Sequence, residues 1–364
     1  MAQTKTASLL EIVSSVDQDP AVIESEKITD GPHFSISEFA SLLNCSSGSI
    51  RKWEREGKIA PAQRIKRGSV DFRYYTVDNV TETRKRLALP PLSSRKPLVQ
   101  LFFNMKGGTG KSTMAYNYAA VLASMGHKVL AIDLDGQSHM TICLKVRPSK
   151  EIPTILEMID PTVKMPFEKV VKKTWIPNLD LLPSSPELST LELFFFSLVN
   201  KGYVTNSETI LYNALSPYIA NYDVIIVDTG PNLGLVNVNA MLMANDLIVP
   251  VKTDYLSVEG ASFLLEKISE MQNDLKFSFD RIIILPNIFS ITENICRESL
   301  SFIQSNFGEY ISKTVIRKST AIAGATSKSE PVFVFDKKST GTKDVISFVR
   351  EVFKITPNED DYWV

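Results

Sequence analysis

Leu98-Val99-Gln100-Leu101-Phe102-Phe103-Asn104 runs straight into Met105-Lys106-Gly107-Gly108-Thr109-Gly110-Lys111-Ser112-Thr113. The first seven residues read as a strand and the residues from Lys111 onward suit a helix. Strand, glycine-rich loop and helix in that order make a phosphate-binding loop. Gly107, Gly108 and Gly110 let backbone N–H groups turn inward around phosphate oxygens. The following helix points its N-terminus at the same anion. Lys111 adds a point charge for the β/γ-phosphates of ATP, and the Ser112 hydroxyl suits Mg²⁺. The expected nucleotide-binding segment is therefore Lys106, Gly107, Gly108, Thr109, Gly110, Lys111, Ser112 and Thr113. The usual pattern has glycine five residues before the last glycine. Here that position is Met105, and an extra lysine, Lys106, follows it.

Downstream of this loop, short apolar runs alternate with helical stretches. The strands are Leu98–Asn104, Val129–Asp133, Asp223–Asp228, Leu247–Val251 and Arg281–Pro286, with helices such as Lys111–Met125 and Val258–Met271 between them. That pattern predicts an α/β fold built on a parallel sheet, spanning 98–364. Acids end two of the strands, in Ala131-Ile132-Asp133-Leu134-Asp135 and in Val227-Asp228-Thr229-Gly230-Pro231. Carboxylates at the C-terminal ends of parallel strands gather at the crevice where ligands bind. Asp228 is placed to hold Mg²⁺ through water, with Ser112 and Asp133 beside it, and Asp135 to orient the attacking water. A lone Asp after a strand is usually only a helix cap; three of them with a phosphate loop point to chemistry. Pro286 and Asn287, at the end of a strand, are the expected adenine contacts.

Upstream, the composition changes. Residues 1–30 carry two lysines against six acids, and Leu9, Ile12, Val13 and Val16 have helical spacing. This piece, 1–32, reads as a tail or a dimerisation helix. Residues 51–73 carry eight Lys or Arg against three acids, a basic segment inside a chain of net charge −1. Such local enrichment marks a nucleic-acid module. It belongs to a mostly helical unit, 33–97, that begins at a helix cap, Ser35-Ile36-Ser37-Glu38. A second helix runs from about Ser47 through Arg55 to Gly57, then come a strand at Val70–Tyr75 and a helix at Val77–Leu87. Leu89-Pro90-Pro91-Leu92-Ser93-Ser94-Arg95-Lys96-Pro97 is a linker.

The bulk numbers agree with several domains and no membrane span: 364 residues, 44% hydrophobic and 22% charged. Three scattered cysteines read as reduced thiols of a cytosolic protein rather than disulfides or a zinc site.

The loop Lys106–Thr113, the Asp133-Leu134-Asp135 motif, Tyr222-Asp223 leading to Asp228, and Ile248-Val249-Pro250-Val251 before Leu256-Ser257-Val258-Glu259-Gly260 resemble the ParA/MinD family of deviant Walker A ATPases. The resemblance covers about residues 98–356. The stretch from Thr314 through Gly341, with Lys337-Lys338-Ser339, is similar to ParA rather than MinD. The resemblance implies a homodimer with ATP sandwiched between subunits, or filaments of such dimers. It makes Lys106 a catalytic charge given to the partner subunit's phosphates, alongside Lys111 and Asp135. It also implies nonspecific binding of double-stranded DNA, carried here by Arg317, Lys318 and Lys338, and a ParB-type protein that stimulates hydrolysis. Such a protein is cytoplasmic and nucleoid-associated. The chain departs from the family at Gly136, where proline is usual, at Thr229-Gly230-Pro231, and at Ala321, where many relatives are basic.

Phe34–Ala40 and Ser49–Ile59, followed by Arg73-Tyr74-Tyr75-Thr76-Val77, resemble a MerR-like winged helix-turn-helix. The resemblance places the second helix in the major groove with Ser47, Ser49, Arg51 and Lys52. Arg64, Lys66 and Arg67 form a wing along the phosphates. In large ParA proteins such a unit binds an operator and represses the partition operon. A nucleotide-responsive transcription regulator is the alternative from another class. A MinD-like membrane ATPase is disfavoured by the acidic Glu359-Asp360-Asp361, and an iron–sulfur reductase by the context of Cys143 and Cys296.

Overall fold

The computed structural model describes residues 31–67, 70–358 and 361–363. Of the expected tail or dimerisation helix, 1–32, residues 1–30 lie outside them, as do the side chains of Lys66 and Arg67. The first strands are β1 (His33–Phe34), β2 (Gln63–Arg67) and β3 (Val70–Thr76), paired antiparallel in the order β1-β3-β2. Then follow β4 (Leu98–Phe102), β5 (Val129–Asp133), β6 (Lys172–Lys173), β7 (Leu179–Leu182), β8 (Val224–Asp228), β9 (Asp246–Lys252) and β10 (Arg281–Asn287). They form a second sheet in the order β10-β9-β4-β8-β5-β7-β6. Every pair in it is parallel except β6–β7.

Parallel strands need cover on both faces, and the residues of β4, β5 and β8 are all buried. Alternate side chains feed two cores: Phe102 and Ala131 to one face, Leu101, Phe103, Leu130 and Ile132 to the other. The five strands expected from sequence are all present. The β7 strand escaped that reading because Asp180 interrupts its apolar run. Its carboxylate takes hydrogen bonds from the Tyr222 hydroxyl at 2.8 Å and Lys173 at 2.7 Å. β6 is only Lys172-Lys173, a lysine-bearing edge of the kind that discourages further pairing.

In the N-terminal unit, Ser35 and Glu38 close a reciprocal capping box at the helix Ile36–Leu42. Ser46 caps the helix Ser47–Arg55 through the Ser49 amide. Thr76 and Asn79 cap Val77–Arg86. Tyr75 is fully buried and stacks on Phe39, with ring centroids 4.1 Å apart, whereas Tyr74 lies against His33 nearer the surface.

One carboxylate fastens the basic helix to the strand behind it. Glu54 accepts from the Ala62 amide (2.8 Å), Arg73 (2.6 and 2.9 Å) and the Tyr75 hydroxyl (3.0 Å). Burial works to raise its pKa, but these donors prevail and hold it below the ordinary glutamate value. Glu54→Ala would leave three donors without their acceptor. We expect a loss of about 2 kcal/mol, read as a lower urea midpoint of the intact chain. An unchanged midpoint would show that Glu54 is only a surface ion pair.

Candidate functional site

The phosphate loop leaves the centre of the seven-stranded sheet, because β4 lies between β8 and β9. Gly108 and Gly110 sit at φ +71° and +85°, backbone that side-chain-bearing residues rarely adopt. A Cβ at Gly110 would meet the Asn287 side-chain amide at 2.4 Å, so a larger residue here would strain the backbone and displace Asn287 from the Thr109 carbonyl. Over Gly107 and Gly108 there is open space instead. These glycines, with Lys111, Ser112, Asp135, Gln137, His139 and Pro231, line a cavity of 490 Å³. That is room for a nucleoside triphosphate's phosphate chain beside the N-terminus of the helix Lys111–Ser124.

Lys111 is buried, and its amine lies 3.4 Å from the Lys106 carbonyl. Burial lowers its pKa, opposed by the nearby charges of Asp228 and Asp135. Asp228 is fully buried, and among the described residues neither carboxylate oxygen has a hydrogen-bond partner. The Ser112 hydroxyl is near enough to favour its ionised form. Burial, then the charge of Asp133, pushes the Asp228 pKa well above the carboxylate range. Among buried polar groups such an orphan is exceptional and marks a place for a cation. An acid and a hydroxyl beside a phosphate cradle suit Mg²⁺, a hard cation that keeps water and phosphate oxygens as most of its ligands.

The other two acids behave differently. Asp133 accepts from the Thr141 amide (2.8 Å), the Thr141 hydroxyl (2.7 Å) and the Asp135 amide (3.2 Å). Both its oxygens thus hold the loop after β5 in shape. Burial nonetheless raises its pKa to about 7. Asp135 lines the cavity, accepts from the Gln137 amide at 3.0 Å, and lies beside Gly230 of the loop after β8.

Lys106 does not line the cavity. Its amine pairs with Asp254 at 3.1 Å, at the cap of the helix Tyr255–Leu275. Burial works to raise the Asp254 pKa, but hydrogen bonds from Ser257, Lys106 and Lys252 hold it low. Asn287 donates to the Thr109 carbonyl at 2.7 Å and lines an adjoining cavity of 460 Å³ with Ile288, Arg317 and Ile322. Pro286 is buried and lies outside that lining; its carbonyl accepts from the Ile316 amide.

The residues read as DNA contacts fall into two groups. Arg51 and Lys52 are exposed on the helix Ser47–Arg55, with Ser47 and Ser49 half-buried near its start, and Arg64 is exposed on β2. Lys338 is exposed as well. Arg317, by contrast, is committed to Asp344 by a forked pair at 2.5 to 3.1 Å, and Lys318 pairs with Glu293 at 3.4 Å. Sequence reasoning missed Asp254 and Asp344, whose partners Lys106 and Arg317 lie 148 and 27 positions away, and Thr141, which meets Asp133 eight positions back through the turn after β5. Among the described residues no three His, Cys, Asp or Glu side chains cluster as a metal site, and no helix is long and apolar enough to cross a membrane.

The unpaired Asp228 yields a test. An ionised carboxylate here costs stability, so Asp228→Asn should stabilise the nucleotide-free protein by about 1–3 kcal/mol near neutral pH. The sign follows from the raised pKa. At low pH the acid is protonated in both folded and unfolded states and costs nothing; above the unfolded value of about 4 the penalty grows. The Tm advantage of Asp228→Asn should therefore widen from about pH 5 to pH 8 while Mg²⁺-dependent turnover is lost. A less stable variant at pH 8 would contradict the orphan-charge account.

Fold and site together define a P-loop ATPase with a second lysine, Lys106, in its loop. The model of the AAA domain matches residues 99–281, and that of the MerR HTH family regulatory protein matches residues 34–85. The cell division protein PomZ of Myxococcus xanthus is 38% identical over 325 residues, 89% of this chain and 93% of that protein. The chromosome partitioning protein ParA of the same organism is 30% identical over 251 residues, 69% of this chain and 86% of that one. A solved structure titled Partition Protein shares the fold over 94% of this chain and 97% of its own, with TM-score 0.66 at 20% identity. The chain belongs to the ParA family of partition ATPases, and it uses ATP with Mg²⁺.

Proposed function

We propose that this chain positions DNA: an ATP-bound sandwich dimer holds DNA without sequence preference, and a ParB-type partner triggers hydrolysis and release. The observation that carries this reading is Lys106. It stands in the phosphate loop yet lies outside its own nucleotide cavity, held by Asp254, while Lys111 already serves the phosphates in cis. A lysine so placed is available to a second subunit's phosphates, where a charge aimed at the transferring phosphoryl group accelerates its departure.

In this reading Ser112 and Asp228 hold Mg²⁺, which when bound neutralises charge developing on the phosphates. Asp133 braces the loop that carries Asp135, and Asp135 orients the attacking water. Gly107 through Thr113 cradle the phosphates, and the cavity beside Asn287 takes the adenine. The helix Ser47–Arg55 presents Arg51 and Lys52 to an operator in the chain's own control region, with Arg64, Lys66 and Arg67 along the backbone. Lys338 is the better placed of the C-terminal candidates for nonspecific DNA, because Arg317 and Lys318 must first leave Asp344 and Glu293. Function in the cytoplasm on the nucleoid follows.

The test is ATP turnover with and without mixed-sequence duplex DNA, together with DNA release after hydrolysis. DNA-raised turnover followed by release supports the reading. DNA binding that follows nucleotide identity but ignores hydrolysis would favour the transcription regulator instead.

A further inference from the structure

The DNA-recognition unit is fastened to the ATPase unit by a short segment, Asp361–Trp363. Trp363 is 2% exposed, and its indole N–H donates to the Lys337 carbonyl at 3.2 Å. The Tyr362 amide donates to the Ser41 hydroxyl, on the first helix of the recognition unit, at 2.7 Å. Asp361 pairs with Arg350 at 2.6 Å, and both side chains are almost wholly buried. Arg350, on the helix Thr340–Val352, also donates to the Ser41 carbonyl at 3.3 Å. Beside this clasp, Lys337 pairs with Glu38 at 2.9 Å and donates to the His33 carbonyl at 2.7 Å. The rings of Phe34 and Phe333 stack 6.5 Å apart.

The clasp lies over a shared core. Phe34, Phe39, Ile50 and Tyr75 of one unit belong to the same hydrophobic cluster as Val332, Phe333 and Phe348 of the other. Behind it, Arg84 and Thr81 close over Gly126, where a Cβ would meet the Arg84 side chain at 2.8 Å. The path also reaches the phosphate loop. Asn117, on the helix that starts at Lys111, bonds the Thr113 carbonyl with its amide N–H and takes the Val332 amide with its oxygen, both at 2.8 Å.

We propose that Asp361–Trp363 is an intramolecular clasp that makes the recognition unit and the ATPase unit one rigid body, so that the ATPase subunits set where the two recognition helices lie on DNA. This rests on the reading that the N-terminal unit binds DNA. A buried ion pair stripped of one partner leaves the other charge buried, so the clasp opens when either Asp361 or Arg350 is neutralised. Once it is open, the two units melt separately and the linker between them is exposed.

The experiment uses the full chain with Trp363→Ala and, as the milder change, Asp361→Asn. The trypsin site after Arg95, now tied to Asp280, reports opening; the Lys96–Pro97 bond resists trypsin. We expect cleavage there to rise about tenfold or more in both variants. We also expect the single thermal transition to split in two. ATP turnover by the variants stays normal, since neither residue touches the nucleotide cavity. On a fluorescent duplex of the chain's own upstream control region, the DNA assigned to the recognition helices, the difference in affinity between ATP and ADP shrinks. Unchanged cleavage and one unsplit transition in both variants would overturn the clasp. Split melting with an undiminished nucleotide effect would overturn the claim that the clasp sets the helices on DNA. If the unmodified chain binds no duplex under any nucleotide, the functional reading fails while the clasp is still judged by cleavage and melting.

Discussion

Lys111→Ala is expected to abolish nucleotide binding and to lower ATP turnover by about a thousandfold or more. The amine is buried beside the Lys106 carbonyl, so its charge acts in a medium that screens it weakly. Nothing nearby replaces it: Lys106 is held 3.1 Å from Asp254, outside the cavity. The same change removes the positive charge facing Asp228 and Asp135. The nucleotide-free variant should therefore also melt earlier, most clearly at high pH where Asp228 is ionised. Equilibrium binding of a fluorescent ATP analogue checks the first point and a pH series of melting curves the second. Binding within a few-fold of the parent would mean that the glycine loop alone holds the phosphates.

Lys106→Gln should separate binding from catalysis. If Lys106 acts in trans, the variant binds ATP nearly as well as the parent, because Lys111, the glycine loop and Ser112 are intact. Its turnover falls by about a hundredfold to a thousandfold, and DNA no longer stimulates it. Asp254 loses one of its two lysine partners but keeps Lys252 at 3.1 Å and the Ser257 amide at 2.8 Å, so folding is little affected. Normal turnover would remove Lys106 from the mechanism and leave a nucleotide-sensing regulator as the better account.

What could be read from the sequence was what is local in the chain. The phosphate loop is contiguous, and its chemistry follows from residue type and spacing. Apolar runs of five to seven residues showed β4, β5, β8, β9 and β10. Capping at Ser35 and Glu38 was visible for the same reason. The hidden parts depend on pairs that meet only after folding. Lys106 and Asp254 are 148 positions apart, and nothing near either names the other. Arg317 looks like an open DNA contact until Asp344, 27 positions on, is found holding it. β7 disappears behind Asp180, whose charge is legible as a break but whose partners Tyr222 and Lys173 are not. Proline-rich spacing at Leu89–Pro97 was legible as a linker, but not what holds its end. Lys96 pairs with Asp223 at 2.7 Å and Arg95 with Asp280 at 3.0 Å, acids at the feet of β8 and β10 that lie far off in the chain.

The most direct test is ATP turnover per subunit measured against protein concentration, with sedimentation run in parallel. If Lys106 completes its partner's site, specific activity rises with concentration as dimers form under ATP, and Lys106→Gln stays flat and low while still dimerising. Full turnover per subunit at dilutions where the protein sediments as a monomer would contradict the sandwich-dimer account.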